Sequence, residues 1–304
     1  MKKQKDDATT KDRKGQVIRR EPVKDFFKDV VFVLVSFFFL HSFVLASFEV
    51  PTGSMENEIM TGDFLFVNKF LYGGTTPRTI PFTDIRLPWF RMPAVRDVHR
   101  GDVIVFEFPG AQPEIVAREF QFYLKRAIAL SGDTVQIIRR TVYVNGEKSP
   151  IPRNIRLDSP GILPPSAIEN SIFPPGAPYN QDNWGPVVVP GKGDVIGLSV
   201  ENFERWRVFI GREGHHASLG QDGSVFIDNK QVTSYTVERN YLFGMGDHRD
   251  NSLDSRFWGF IPEQNIVGTP MIVYWSWDPE ISMLAHPIDK LASIRLGRIG
   301  TIIR

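Results

Sequence analysis

Three short stretches carry side chains with chemistry to offer: PTGSM (Pro51–Met55), FYLKRAIAL (Phe122–Leu130) and GDHRDNSLDSRFWGFIP (Gly246–Pro262). Ser54, in the first, follows a glycine. Taken alone it reads as a helix cap, with Glu56 and Glu58 suited to the positive end of a helix behind it. As a nucleophile it would need a base, because a serine hydroxyl is weak without one. Lys125 is a candidate base. On a strand it shares a small apolar face with Ala127 and Ala129. A free lysine, with a pKa of about 10.4, is neutral in only about one molecule in 2,500 at pH 7. Burial on an apolar face disfavours the ammonium and lowers that pKa, and a lysine so tuned can take a proton from a serine. The same lysine on a wet edge strand would be ordinary surface. The third stretch sets Asp247, Asp250, Asp254, Arg249, Arg256, Ser252 and Ser255 directly before Phe257-Trp258-Gly259. Paired signs at that density, followed at once by aromatic residues, point to an ordered, partly buried ion-pair network.

Other chemistries fall away. Cysteine is absent, which removes disulfides, thiolate metal sites and a cysteine nucleophile. The histidines, His41, His99, His215, His216, His248 and His286, form no HExxH spacing, and the adjacent pair would point to opposite faces of a strand. No glycine-rich phosphate motif is present, and no metal or cofactor is expected. The charge is balanced, 36 Lys and Arg against 35 Asp and Glu, so a global field for nucleic acid is missing.

These groups need a scaffold. Residues 30–48, VVFVLVSFFFLHSFVLASF, contain no charge, and as helix they would span about 28 Å, close to a bilayer core of about 30 Å. An uncleaved transmembrane anchor suits this run better than a buried core helix or a cleaved signal peptide, whose apolar region would be shorter. Residues 1–29 carry ten Lys or Arg and six Asp or Glu, which assigns them to the cytoplasm as a disordered basic tail and everything after Phe48 to the outside. Beyond Pro51, short alternating runs with turn residues between them predict antiparallel strands: Asp63–Gly74, Arg100–Gly110, two strands around Ser131-Gly132-Asp133, and Thr141–Lys148 with an Asn-Gly hairpin turn. VYVNGEK (142–148) faintly echoes VFIDNKQ (225–231), as generic hairpin chemistry would. Prolines crowd residues 150–190 and disfavour regular elements there. IPFTDIRLPWFRMP (80–93), with Phe82, Trp89, Phe90 and Met92 among Arg86 and Arg91, reads equally as a loop tucked onto the core or one resting on a membrane.

In order behind an apolar anchor, PTGSM, RGDVIVF, LKRAIALSGD and GDHRDNSLDSRFWGFIP resemble the boxes of bacterial type I signal peptidases, membrane-bound serine proteases with a Ser/Lys dyad. The first box is weak alone; the last is highly specific. The resemblance spans the anchor and roughly residues 48–148 and 240–278. It implies Ser54 as nucleophile, Lys125 as general base, Ser252 as the hydroxyl orienting the lysine, and Thr52 with the Ser54 amide as oxyanion hole. It further implies Arg126, Asp247, Asp254 and Arg256 as a supporting salt-bridge network, Gly246 as a small residue close to the lysine, and Phe48, Val50, Ile59, Tyr123 and Leu124 as substrate-pocket walls. The chain departs from the family at Asn57-Glu58-Ile59, where Pro-Thr-Leu is frequent, at His248, where asparagine is usual, and at Thr52, which keeps the hydroxyl of a serine.

The expected architecture is mainly β: a cytoplasmic tail (1–29), a transmembrane helix (30–48), an antiparallel β-sheet catalytic domain (49–148 and 241–280), an inserted β-rich lobe (149–240) and a C-terminal tail (281–304). The expected activity is removal of signal peptides from translocated preproteins at the outer face of the bacterial cytoplasmic membrane. Six residues from Phe48 to Ser54 would keep the nucleophile near the lipid surface, and small residues in an A-x-A pattern would fit shallow pockets. Preproteins, membrane lipid and the secretion translocon are the implied partners. Two other readings use the same features: a self-cleaving regulator, which would need a cleavable segment in cis, and a non-catalytic tethered β scaffold binding exported proteins, which would have no use for Ser54, Lys125 and Ser252 together.

Overall fold

The structure is a computed structural model that describes residues 10–11, 17–18, 22–76, 88 and 90–303. Most of the basic tail lies outside the described residues, as do Phe82, Arg86 and Trp89 of the aromatic loop. Within the tail, Thr10–Lys11 pairs with Val17–Ile18 in a two-residue ladder.

The apolar run does not form one helix to Phe48. Helix α1 covers Pro22–Phe43, starting in the charged tail and ending five residues early. Twenty-two residues reach about 33 Å. Its side chains are almost entirely unburied by protein, which excludes a core helix and suits a lipid surround. After Val44 the chain becomes strand β1, Leu45–Glu49. Strand β2, Asp63–Asn68, takes it up antiparallel, with Leu45 opposite Asn68 and Glu49 opposite Phe64. A continuous apolar run does not reveal where lipid-facing helix gives way to sheet-bound strand, because both prefer these residues.

The chain continues through β3 (Val103–Glu107), β4 (Phe122–Leu130), β5 (Tyr241–Met245), β6 (Ile261–Pro262) and β7 (Ile266–Ser276). These seven strands form one antiparallel sheet in the order β6-β5-β4-β3-β7-β2-β1. Alternation gives the sheet two apolar faces. Val103 and Val105 join Val50, Met55, Ile59, Leu65, Val67, Val273 and Ile303 on one. Ile104 and Phe106 join Tyr72, Ala127, Trp258 and Ile261 on the other.

Strands 134–138, 141–144 and 147–148, expected in the catalytic sheet, instead form a separate four-stranded sheet with 184–188, which pairs with 134–138. The Ser131-Gly132-Asp133 turn reads as a hairpin, but β4 takes its partner from beyond the lobe: Leu130 faces Leu242. The Asn145-Gly146 turn has both residues at positive φ, 54° and 81°, as a tight hairpin requires. Asp228 and Asn229 do the same for the hairpin 225–232, at φ 49° and 64°. Residues 149–183 hold no strand or helix of their own. The lobe also carries α2 (Phe203–Arg212), and a short α3 (Ser255–Trp258) follows β5. The C-terminal tail returns to the sheet through a bond from Arg295 N to Ser276 O (2.9 Å) and a bridge between Ile302 and Ile272. Arg91, one of the candidate membrane-facing residues, instead donates to the carbonyls of Tyr72, Gly73, Glu263 and Ile266 and so is tied to protein.

Candidate active site

Ser54 sits in the loop that joins β1 to β2. Its ends are pinned by bonds from Val50 N to Asp63 O and from Gly62 N to Val50 O, each 2.9 Å. Met55 and Ile59 drop from the loop into the core and fix it there. No helix follows Ser54, so the hydroxyl caps nothing. Its Oγ instead accepts a hydrogen bond from Lys125 Nζ at 2.6 Å.

Lys125 comes from the middle of β4 and is 3% exposed. Burial lowers its pKa to about 8; Asp254 pulls upward against this, Arg256 adds to it and Asp247 opposes it. At that value about one molecule in ten is neutral at pH 7, against about one in 2,500 for a free lysine. The Nζ also lies 5.6 Å from the centre of the Tyr123 ring.

The charged box packs behind the lysine. Arg126 grips Asp247 from Nε (2.9 Å) and Nη2 (2.6 Å) and donates to Gly101 O through Nη1. Arg256 grips Asp254 from Nε and Nη2, both at 2.9 Å. Asp254 also caps α3 by accepting from Arg256 N, and accepts from Gly246 N at 3.1 Å. Burial alone would raise the Asp254 carboxyl, but the Arg256 guanidinium holds it below its ordinary value. Both aspartates are fully buried, so each ion pair must stay whole: a buried charge that loses its partner costs about 3–5 kcal/mol.

Gly246 leaves no room for a side chain. A Cβ there would lie 2.2 Å from Ser252 Oγ and 2.5 Å from the Ser54 carbonyl oxygen. Ser252 is thereby packed against the backbone of Ser54, yet the bond expected from its hydroxyl to Lys125 is not made. Ser252 Oγ is buried and, among the described residues, has no hydrogen-bond partner, because the lysine points at Ser54. Thr52 is exposed on the rim, two residues before Ser54.

The five expected wall residues divide between the faces of the sheet. Val50, Ile59, Phe48 and Leu124 share one apolar cluster with Met55. Tyr123 lies on the opposite face, stacked on Phe108 with centroids 4.2 Å apart. Beside them runs an open strand edge. β5 pairs with β4 only over Arg126–Leu130, and among the described residues no strand covers that side of Phe122–Lys125.

A family model described as "Signal peptidase, peptidase S26" matches residues 23–275 of this chain. The chain belongs to that family. The Signal peptidase I of Pseudomonas aeruginosa is 30% identical over 288 residues, covering 88% of this chain and 79% of that protein. The Signal peptidase I of Haemophilus influenzae is 28% identical over 297 residues (89% and 75%). That of Aquifex aeolicus is 26% identical over 248 residues, with 82% of each chain covered. As a member of the signal peptidase family, the chain is a serine endopeptidase that removes signal peptides from preproteins, and its N-terminal apolar helix is of the kind that anchors such an enzyme in a membrane.

This signal peptidase braces its Ser54 loop from two directions that sequence reasoning missed. From the C-terminal tail, Arg298 ion-pairs with buried Asp63 and donates to Glu58 O at 2.9 Å, and Arg295 donates to Thr61 O at 2.9 Å. From the lobe, Asn154 bonds Glu58, Arg156 bonds Glu56, and Asp158 bonds His248. The departures at Glu58 and His248 were the one visible hint, since both now meet the same segment.

Proposed function

We propose that Ser54 and Lys125 form the catalytic dyad of this signal peptidase. The observation that carries the reading is the 2.6 Å contact between Ser54 Oγ and a lysine whose burial brings its pKa to about 8. The neutral Nζ takes the Ser54 proton as Oγ attacks the scissile carbonyl carbon. The oxyanion is met by the Ser54 backbone N–H and the Thr52 hydroxyl. The Lys125 ammonium then returns the proton to the leaving amine as the C–N bond breaks, which leaves an acyl-enzyme. Water, deprotonated by the same lysine, releases the mature chain's former signal as an acid and restores Ser54. Ser252, packed beside Ser54, supplies a hydroxyl for Lys125 once the serine is acylated. The two buried ion pairs hold the lysine strand against the Ser54 loop, and Gly246 permits that close approach.

The open edge of Phe122–Lys125 suits a substrate segment added as a further strand. Phe48, Val50, Ile59 and Leu124 then wall apolar pockets for small side chains, with Tyr123 supporting the strand from behind. The basic tail before α1 supports a cytoplasmic N-terminus, and on that reading the sheet lies at the outer face of the cytoplasmic membrane, among lipid and beside the translocon. A preprotein still held by its own signal shares that plane and gains effective concentration.

The test is cleavage of a preprotein bearing an A-x-A site by detergent-solubilised protein, alongside Ser54→Ala. Release of mature protein by the wild type alone supports the reading. If neither cuts a range of such preproteins, a tethered scaffold takes its place.

A further inference from the structure

Gly53 precedes the nucleophile, and its carbonyl belongs to the same peptide unit as the Ser54 N–H. That unit is planar and trans, so its C=O and N–H point in opposite directions. Whatever holds the Gly53 oxygen therefore sets the direction of the Ser54 N–H. Glycine is the residue least able to hold it alone, because its backbone rotates most freely.

His248 holds it. The ring is nearly fully buried, with Nδ1 3.2 Å from Gly53 O and 3.5 Å from the Glu56 carboxylate. The backbone N–H of His248 donates to Ser54 O at 3.1 Å, so both peptide units flanking Ser54 end on this one residue. The far nitrogen, Nε2, lies 2.6 Å from Asp158 Oδ2 of the lobe. Arg156 straddles His248 from the same segment: its N–H donates to Asp247 O (2.9 Å) and its carbonyl accepts from Arg249 N (3.0 Å). Asp250 accepts the N–H groups of Asp158 and Ser159 at 2.7 and 2.9 Å. The ring is thus gripped between the lobe and the nucleophile's own backbone.

We propose that His248 is a positioning residue: it fixes the Gly53–Ser54 peptide so that the Ser54 N–H faces the developing oxyanion, and residues 154–159 of the lobe hold the ring for that task. The inference rests on Ser54 being the nucleophile. His248 touches no reacting atom and moves no proton; it acts through the peptide plane. Its effect belongs to the transition state, since the oxyanion exists only there.

Two near-isosteres separate this from a packing role. An asparagine amide reaches the place of Nδ1, and a glutamine amide reaches that of Nε2. In the full-length, detergent-solubilised enzyme acting on a preprotein with an A-x-A site, His248→Asn should keep kcat within about threefold. His248→Gln and His248→Ala should lose roughly ten- to a hundredfold in kcat with KM little changed, part of the 10²–10³ that deleting an oxyanion donor costs. Gln matching Asn, or a loss confined to KM, overturns the proposal. Should the Gln and Ala variants lose cooperative melting, Asp158→Ala serves instead: freeing the ring should lower kcat in the same sense, and an unchanged kcat overturns the proposal. A wild type that does not cut removes the Ser54 reading and this inference with it; a wild type that cuts beside a fully active Gln variant removes the inference alone.

Discussion

Replacing Lys125 with methionine should inactivate the enzyme and stabilise it. The lysine is 3% exposed, and its burial lowers the pKa from 10.5 to about 8. A depression of that size means the folded state carries a penalty of about 3 kcal/mol for the ammonium at pH 7, at about 1.4 kcal/mol per unit. Methionine fills similar space without a charge to desolvate, so the variant should gain up to about that amount, less about 1 kcal/mol for the lost hydrogen bond to Ser54. The gain must depend on pH. Between pH 8 and 10.5 the unfolded lysine binds more protons than the folded one, so wild-type stability rises with pH across that window and the variant's advantage shrinks. Urea melts followed by tryptophan fluorescence in detergent, from pH 6 to 10.5, would measure it. The kinetic counterpart is the wild-type profile of kcat/KM. It should rise roughly tenfold per pH unit below 8 and level off above, as the neutral amine becomes the majority. A variant less stable than wild type at pH 7, a stability difference flat with pH, or a flat activity profile between pH 6 and 9 would refute the reasoning.

Asp254→Asn removes a charge that pulls the Lys125 pKa upward, so the midpoint of the same activity profile should move down, together with a loss of stability from the stranded Arg256. Gly246→Ala sets a carbon 2.5 Å from the Ser54 carbonyl oxygen; cleavage should drop sharply, and adding Ser252→Gly should not restore it, because the backbone clash remains. Arg298→Ala leaves Asp63 buried without its partner and should cost about 3–5 kcal/mol in thermal or urea melts, with activity lost first at the highest temperatures. Truncation before Leu45 should leave a foldable sheet, whereas truncation before Val50 removes β1 and should yield aggregating protein by light scattering, because β2 then presents a bare edge.

The parts of this enzyme that were legible in the sequence are those whose residue types carry their own constraint. Lys125 on an apolar alternation and the sign-dense box before Phe257 announced burial and pairing, while the partners Arg126–Asp247 and Arg256–Asp254 were implied only by the family resemblance. The Asn145-Gly146 turn announced itself through its backbone requirement. The end of α1 was not legible, since Val44–Phe48 is equally apolar as lipid-facing helix or as strand. The departure of residues 134–148 from the main sheet was hidden because β4 takes its partner from more than a hundred residues on. Tyr123 fell on the far face from its expected companions, while Arg298 and Arg156 reach the Ser54 loop only through chain folding that no local pattern encodes.

The single residue Val44 between α1 and β1 has a mechanical consequence. An anchor followed by a loose linker would let the sheet swing and bob; an anchor that runs into a hydrogen-bonded strand couples the two like a gauge set on its post. β1 is about 17 Å of rigid rod, at about 3.3 Å per residue, and Ser54 stands just past its tip. With α1 as anchor and Ser54 as nucleophile, as proposed above, the height at which a chain emerging from the bilayer meets the hydroxyl would be a fixed length of the protein, and the position of the cut would be measured from the membrane as well as read from the side chains around it.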